Sequence, residues 1–168
     1  MSDGEHTERI ERIDDDVRSV SASRVEMTEL VLPGDTNALG TIFGGKVMQW
    51  IDIAASVCGM RHSSGDVVTA SIDGLQFLTP IQVGEVAVLR ASVNFVGHTS
   101  MEIGVRVEAE NPRTGERRYT TKAYLTFVAL DGKGQPRAVP GLLLENEEDR
   151  RRHADAQARR QSRLVARL

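Results

Sequence analysis

The chain has 168 residues, of which 40% are apolar and 27% charged, a composition typical of one soluble globular domain. Its formal net charge is −3, whereas a nucleic-acid-binding protein normally carries a basic excess. No apolar run reaches the roughly 18 residues of a membrane span, and the acidic N-terminus lacks the apolar core of a signal peptide. A single cysteine excludes an internal disulfide. We expect a cytoplasmic protein that neither binds nucleic acid nor inserts into a membrane.

The N-terminal segment, residues 1–24, is acidic, with seven acidic residues against four arginines. It shows neither helical nor strand periodicity, so we expect a flexible segment. The ordered domain is expected at residues 25–144. Its first strand is predicted at residues 25–32.

The central helix is predicted at residues 43–60, where apolar residues cover most of the helical circumference. A helix that is apolar nearly all round is a buried helix. The one polar wedge carries Gln49, Asp52 and Ser56.

Four further strands are predicted at residues 67–78, 87–95, 100–109 and 117–130, because apolar and polar residues alternate there. The turns between the last three are short, so consecutive strands are expected to pair antiparallel. The prediction is an α+β fold: a single domain whose five-stranded antiparallel sheet wraps around one long central helix. Its open edge strand favours a dimer at least.

The C-terminal segment, residues 145–168, contains seven arginines and five acidic residues. Its acidic residues precede its arginines, as the helix dipole favours, but its apolar residues form no wide stripe. We therefore expect a solvated, arginine-rich helix or tail. An arm that binds RNA or a protein partner is the alternative.

Asp52 is the first candidate for chemistry, because a carboxylate on a buried helix is costly unless it is hydrogen-bonded or borders a cleft. It is equally explained as part of the helix's one wet face. The loop before the helix offers Asn37, whose amide supplies both donors and an acceptor, although turn residues also bond their own backbone. Gly44 and Gly45 begin the helix, where free N–H groups and the dipole suit an oxyanion hole. A tight turn is the other explanation for these glycines.

Other catalytic arrangements have little support in the sequence. Residues 40–46 fit the spacing GxxxxGK of a phosphate-binding loop, but Val47 stands where a Ser or Thr should bind magnesium, and no βαβ pattern surrounds the loop. Cys58 lies on the apolar side of the helix, as a packed thiol would. There is no GxSxG nucleophile motif, and no metal-ligand spacing occurs among the histidines, which are His6, His62, His98 and His153.

A spaced motif runs through the loop and the first half of the helix, made of Asp35-Thr36-Asn37, Gly40, Phe43-Gly44-Gly45, Met48 and Asp52. It resembles the signature of hotdog-fold acyl-CoA thioesterases, and within them the small bacterial and cytosolic long-chain acyl-CoA hydrolases. Comparable segments follow at Thr69-Ala70-Ser71, Phe77, Pro80-Ile81, Gly97, Thr99-Ser100-Met101-Glu102 and Phe127-Val128-Ala129. The resemblance covers residues from about 33 to 140, and its fold is the one that the periodicity predicts.

The resemblance implies the hydrolysis of acyl-CoA to a fatty acid and coenzyme A without a metal or bound cofactor. Asp52 would be the catalytic general base or nucleophile, and Asn37 would meet it across a dimer interface. The Gly45 amide would bind the thioester oxygen, with Phe43 and Gly44 beside the substrate. The family also points to a hexamer, built as a trimer of dimers.

Coenzyme A carries phosphates, so its site needs basic or N–H donors. Hypothetical contributors are Thr99 and Ser100 in a turn, together with Lys122 and Arg137. Ordinary turn and surface roles explain each of these four equally well. A non-catalytic acyl-CoA-binding or regulatory module with the same fold is the alternative function.

Overall fold

The computed structural model describes residues 17–166. Its strands are β1 Val17–Ser19, β2 Val25–Leu30, β3 Val67–Phe77, β4 Val86–Val96, β5 Ser100–Glu110, β6 Arg117–Ala129 and β7 Gly141–Leu143. Its helices are α1 Val20–Ser23, α2 Gly44–Ser63 and α3 Glu147–Val165, and a 3₁₀ turn occupies Pro33–Asp35. Within this part of the chain no helix is both long and apolar enough to cross a membrane.

Five strands form one antiparallel sheet in the order β2–β4–β5–β6–β3. The expected pairing of consecutive strands is confirmed for β4 with β5 and for β5 with β6. It is wrong for β3 and β4, because β3 pairs with β6 at the far edge of the sheet. The reason is that α2 carries the chain from the β2 edge, across the sheet, to the opposite edge.

Helix α2 fills the concave inner face of the sheet, as the α+β prediction required. Buried side chains on its apolar sides include Val47, Ile51, Ala54, Ala55 and Cys58. They pack against alternate residues of the three central strands, such as Leu89, Ile103, Val105, Leu125 and Phe127. Since side chains alternate along a strand, the residues between these point to the outer face.

The N-terminal end of the domain lies before the expected boundary at residue 25. Residues 1–16 of the predicted flexible segment are outside the described residues. From Val17 the chain is structured: β1 pairs in parallel with β7, and Val20 and Ser23 of α1 are buried. The contacts form with β7 and α2, which are distant in sequence, so local periodicity did not indicate them.

Helix α3 lies across the outer face of the sheet, whereas a solvated helix or tail was expected. Glu102 of β5 is only 3% exposed and accepts hydrogen bonds from Arg159 at 2.6 Å and Arg163 at 3.2 Å. At the start of the helix, the buried Asp149 pairs with Arg24 at 2.8 Å. Ion pairs of arginines therefore hold this helix against the sheet. Because such a helix needs no apolar stripe, its sequence did not indicate the packing.

The ion pairs of Glu102 with Arg159 and Arg163 lead to a prediction about stability. Replacing both Arg159 and Arg163 by alanine leaves a buried carboxylate without a cation, which should lower the free energy of unfolding by about 3 kcal/mol. Urea denaturation followed by circular dichroism measures this loss. Arg150→Ala removes only an exposed pair with Glu147 and should leave the midpoint unchanged. An unchanged midpoint in the double variant would show that α3 is not held by Glu102.

Candidate active site

The carboxylate of Asp52 lies at the edge of the inner face, beside strand β3. Asp52 is partly buried and accepts a 2.6 Å hydrogen bond from the Thr69 hydroxyl. Thr69 is in register with the buried Phe127, which places both on the inner face. A hydroxyl donating to an ionised carboxylate is a short, strong hydrogen bond that fixes the orientation of the carboxylate.

Thr69 belongs to this site, but the sequence analysis assigned it no role. Its segment belonged to the family resemblance, yet no spacing rule links a strand residue to Asp52, which lies on a helix. The register of β3 shifts between Thr69 and Ser71, so Ala70 is an extra residue. Bulges of this kind occur beside active sites, where they change the direction of a side chain.

Asn37 lies in the exposed loop before α2 and organises that loop. Its side-chain oxygen accepts hydrogen bonds from the Leu39 N–H at 2.9 Å and the Thr41 N–H at 3.3 Å. Its amide group donates to the Thr41 hydroxyl at 2.9 Å. Within the described chain Asn37 makes no hydrogen bond to Asp52.

The start of α2 presents free backbone donors. Phe43 is the N-cap residue, but it supplies no side-chain cap. The N–H groups of Gly44 and Gly45 have no acceptor among residues 17–166. A Cβ on Gly45 would lie 2.5 Å from the Phe43 ring, so only glycine fits beneath that ring in this position. Free N–H groups at a helix start favour a developing negative charge.

An apolar cavity of about 320 Å³ opens beside these donors. Gly44 and Val47 of α2 line one side of it, and Phe77, Ile81 and Thr121 line the other. A concave, mostly apolar pocket next to polar donors has the form of a small-molecule site.

Thr99 lies in the turn between β4 and β5, and Ser100 begins β5. Ser100 is in register with Val128, the residue after Phe127, so the turn lies close to the row that holds Thr69. Backbone bonds to Gly97 and Ala129 shape this turn. Among the described residues, both side-chain hydroxyls are without a hydrogen bond.

The structure separates Lys122 and Arg137 from the Asp52 carboxylate. Lys122 alternates with the buried Ala123 and points to the outer face, where its ammonium lies 4.9 Å from the Tyr124 ring. Arg137 donates hydrogen bonds to the carbonyls of Leu130 at 3.0 Å and Ser63 at 2.6 Å. Arg137 thereby caps the last turn of α2.

The described residues do not form a reactive cysteine site, a phosphate-binding loop or a metal site. Burial raises the pKa of the Cys58 thiol to about 12, so no reactive thiolate forms at neutral pH. Lys46, the lysine of the GxxxxGK spacing, pairs with Asp35 at 3.4 Å and lies over the Trp50 ring. No strand of the sheet leads directly into residues 40–46, as a phosphate-binding loop would require. Burial also lowers the pKa of His62, which bonds the Pro140 carbonyl. Residues 17–166 contain no cluster of potential metal ligands.

Known proteins resemble this chain closely. A family model for the thioesterase superfamily matches residues 39–116. A Bacillus subtilis protein described as an uncharacterized acyl-CoA thioester hydrolase is 43% identical over 134 residues, which are 80% of this chain and 78% of that protein.

Two solved structures share the fold over nearly its whole length. An apo-hexameric acyl-CoA thioesterase superposes with a TM-score of 0.87 at 45% identity, over 90% of this chain and 97% of that chain. A Staphylococcus aureus acyl-CoA hydrolase in complex with butyryl coenzyme A, coenzyme A and coenzyme A disulfide has a TM-score of 0.84 at 36% identity, over 90% and 92%. With relatives this similar, and with the sheet and helix they share, the chain belongs to the thioesterase superfamily, and the hotdog fold is confirmed.

Proposed function

We propose that this protein hydrolyses acyl-CoA thioesters to a free fatty acid and coenzyme A. The observation that carries the proposal is the Asp52 carboxylate, held by Thr69 on a helix whose first N–H groups are free. Relatives named acyl-CoA thioester hydrolase or acyl-CoA thioesterase, at 33–45% identity over most of this chain, support the same substrate class. The free, buried Cys58 is compatible with a reducing cytoplasm, where we place the protein.

The proposed reaction needs only these groups. Asp52 either takes a proton from the attacking water or attacks the thioester carbonyl itself, and the Gly45 N–H stabilises the oxyanion that develops. A thiol has an ordinary pKa of about 8.5, so coenzyme A leaves as a thiolate with little acid assistance. Because the leaving group is so good, no metal or bound cofactor is required.

Variants of the Staphylococcus aureus enzyme support the choice of residues. Structures of that protein include substitutions of one asparagine, one aspartate and one threonine by alanine. In that chain the aspartate follows the asparagine by 15 residues and precedes the threonine by 17, the separations found here among Asn37, Asp52 and Thr69.

The geometry also favours a site shared between two copies of the chain. Gly45 and Asp52 are seven residues apart on one helix, or about 10 Å along its axis, too far to act on one thioester group. The loop that holds Asn37 exposes Leu39 by 85% and Phe43 by 61%, which suits an interface. We therefore place Asp52 of one copy against Asn37 and Gly45 of another, in a dimer.

Further contacts complete the proposed site. The cavity beside Gly44 takes the first part of the acyl chain, next to Phe43 and Phe77. Thr99 and Ser100 offer hydroxyl groups to coenzyme A at the opposite end. Hexameric relatives support a trimer of such dimers.

Replacing Asp52 by alanine should lower kcat by about 10³-fold, since it removes the proposed base or nucleophile. Thiol release from acyl-CoAs of several chain lengths measures the effect, with light scattering to confirm the assembly. Asp66→Ala is the matched control, because this exposed carboxylate makes no side-chain hydrogen bond or ion pair among residues 17–166. Binding of acyl-CoA by the wild type without any thiol release would instead establish the non-catalytic module.

Mixing two inactive variants tests the shared site. When Asn37→Ala and Asp52→Ala chains are refolded together, half of the dimers are mixed, and each mixed dimer has one intact site. Activity should recover to about a quarter of the wild-type value. No recovery would mean that both residues act within one chain.

Thr69 is expected to position the carboxylate rather than to touch the substrate. Thr69→Val should lower kcat by 10- to 100-fold with little change in KM, about the cost of losing a hydrogen bond to a charged group. Thr69→Ser retains the hydroxyl and should restore most of the activity. Equal losses in both variants would attribute the effect to packing rather than to the hydrogen bond.

A further inference from the structure

The outer face of the sheet contains a cavity of about 710 Å³ between helix α3 and strands β4, β5 and β6. It lies on the opposite side of the sheet from Asp52 and Thr69, and the proposed hydrolysis does not use it. Seven cationic side chains line the cavity but only three carboxylates do. Arg24 and Arg159 are paired with Asp149 and Glu102, and Arg151 and Arg152 are paired with Glu148. The positive charge that is left to attract an anion therefore lies on the strand side of the cavity.

Three of these cations form a ladder of like charges. Arg90, Arg106 and Lys122 stand directly opposite one another on β4, β5 and β6. Like charges in opposite positions destabilise a sheet. Three in a row therefore need an explanation beyond the stability of the fold.

The acidic partners compensate only part of this charge. Arg90 and Arg106 share one carboxylate, Glu108, at 3.0 Å each, and Arg90 also contacts Glu26 at 2.9 Å. Lys122, at the β6 end of the ladder, has no carboxylate partner among residues 17–166. Its ammonium is therefore available to an anion in the cavity.

An amide on the cavity wall is also unpaired. Asn94 is only 4% exposed and lines the cavity, yet its side chain makes no hydrogen bond to any described residue. The register shift between Val93 and Phe95 makes it the extra residue of a bulge. An unpaired amide on the wall of a cavity can donate a hydrogen bond to a ligand there.

Gly104 keeps this part of the cavity open. It lies on β5 at the cavity wall, and a Cβ in its place would lie 2.6 Å from the Asn94 amide nitrogen. Any larger residue would displace the Asn94 side chain into the space that a ligand needs.

We propose that this cavity binds a small molecule that carries two or more phosphate groups. Arginine and lysine are the usual ligands of phosphate, and an amide donor adds a directed hydrogen bond. The Tyr124 ring is already covered by Arg159 at 3.5 Å and Lys122 at 4.9 Å, so no free aromatic face awaits a nucleobase. The site recognises the phosphate groups themselves.

Calorimetric titration of the assembled wild-type protein with inorganic pyrophosphate at low ionic strength tests the proposal. Lys122→Ala should weaken binding about 10- to 100-fold, the usual cost of one charged hydrogen bond. Gly104→Val should abolish binding, because its side chain displaces Asn94. Lys133→Ala, which removes an exposed lysine from a distant turn, should bind pyrophosphate like the wild type.

Three results would overturn the proposal. One is the absence of pyrophosphate binding, as expected if a neighbouring copy covers the cavity. The second is equal affinity in wild type and Lys122→Ala, which would place the anion elsewhere, including at the catalytic site. The third is equal affinity in wild type and folded Gly104→Val. Circular dichroism checks folding, and thiol release from acyl-CoA reports separately on the proposed hydrolysis.

Discussion

Helix α2 buries one apolar side, and the sheet has to curve around that side to remove it from water. The expectation of a helix buried nearly all round is wrong for the described chain, because Met48, Ile53 and Met60 are 39%, 43% and 41% exposed. Each fully buried aliphatic side chain contributes about 1.5–3 kcal/mol, so a helix with Val47, Ile51 and Cys58 in the core strongly favours that curvature. The sheet ends at β3, and the one polar wedge of the helix lies at this edge. Asp52, the proposed catalytic carboxylate, is thus located where the wrapping of the helix stops.

The two faces of the sheet then have opposite chemistry. The inner face is apolar, and its only proposed reaction lies at the edge, where Thr69 holds Asp52. The outer face carries Glu102, which is buried under two arginines of α3, and beside it the charge ladder that begins at Arg90. Alternation along β4, β5 and β6 therefore lets one sheet support the proposed thioester site on one side and the proposed anion site on the other.

Sequence periodicity was reliable wherever burial depends on local spacing. The five strands of the sheet and the central helix were predicted within a few residues, because the apolar pattern of each element follows directly from the burial of one of its sides. The order of the strands was less accessible, since β3 lies beside β6 only after α2 has crossed the sheet. Helix α3 was expected to be solvated, because arginines such as Arg159 pack through guanidinium groups and leave no apolar pattern.

The sequence by itself determined the α+β class, the elements of the sheet and the motif that contains Asn37, Gly45 and Asp52, since these depend on residue type and near neighbours. Only the tertiary structure decided that Thr69 holds Asp52, that Lys122 belongs to the outer face and that Arg137 caps α2. Each of these facts joins residues that are distant in the chain. Such contacts depend on strand register and on which face a side chain occupies, and a shift of one residue would exchange the two faces.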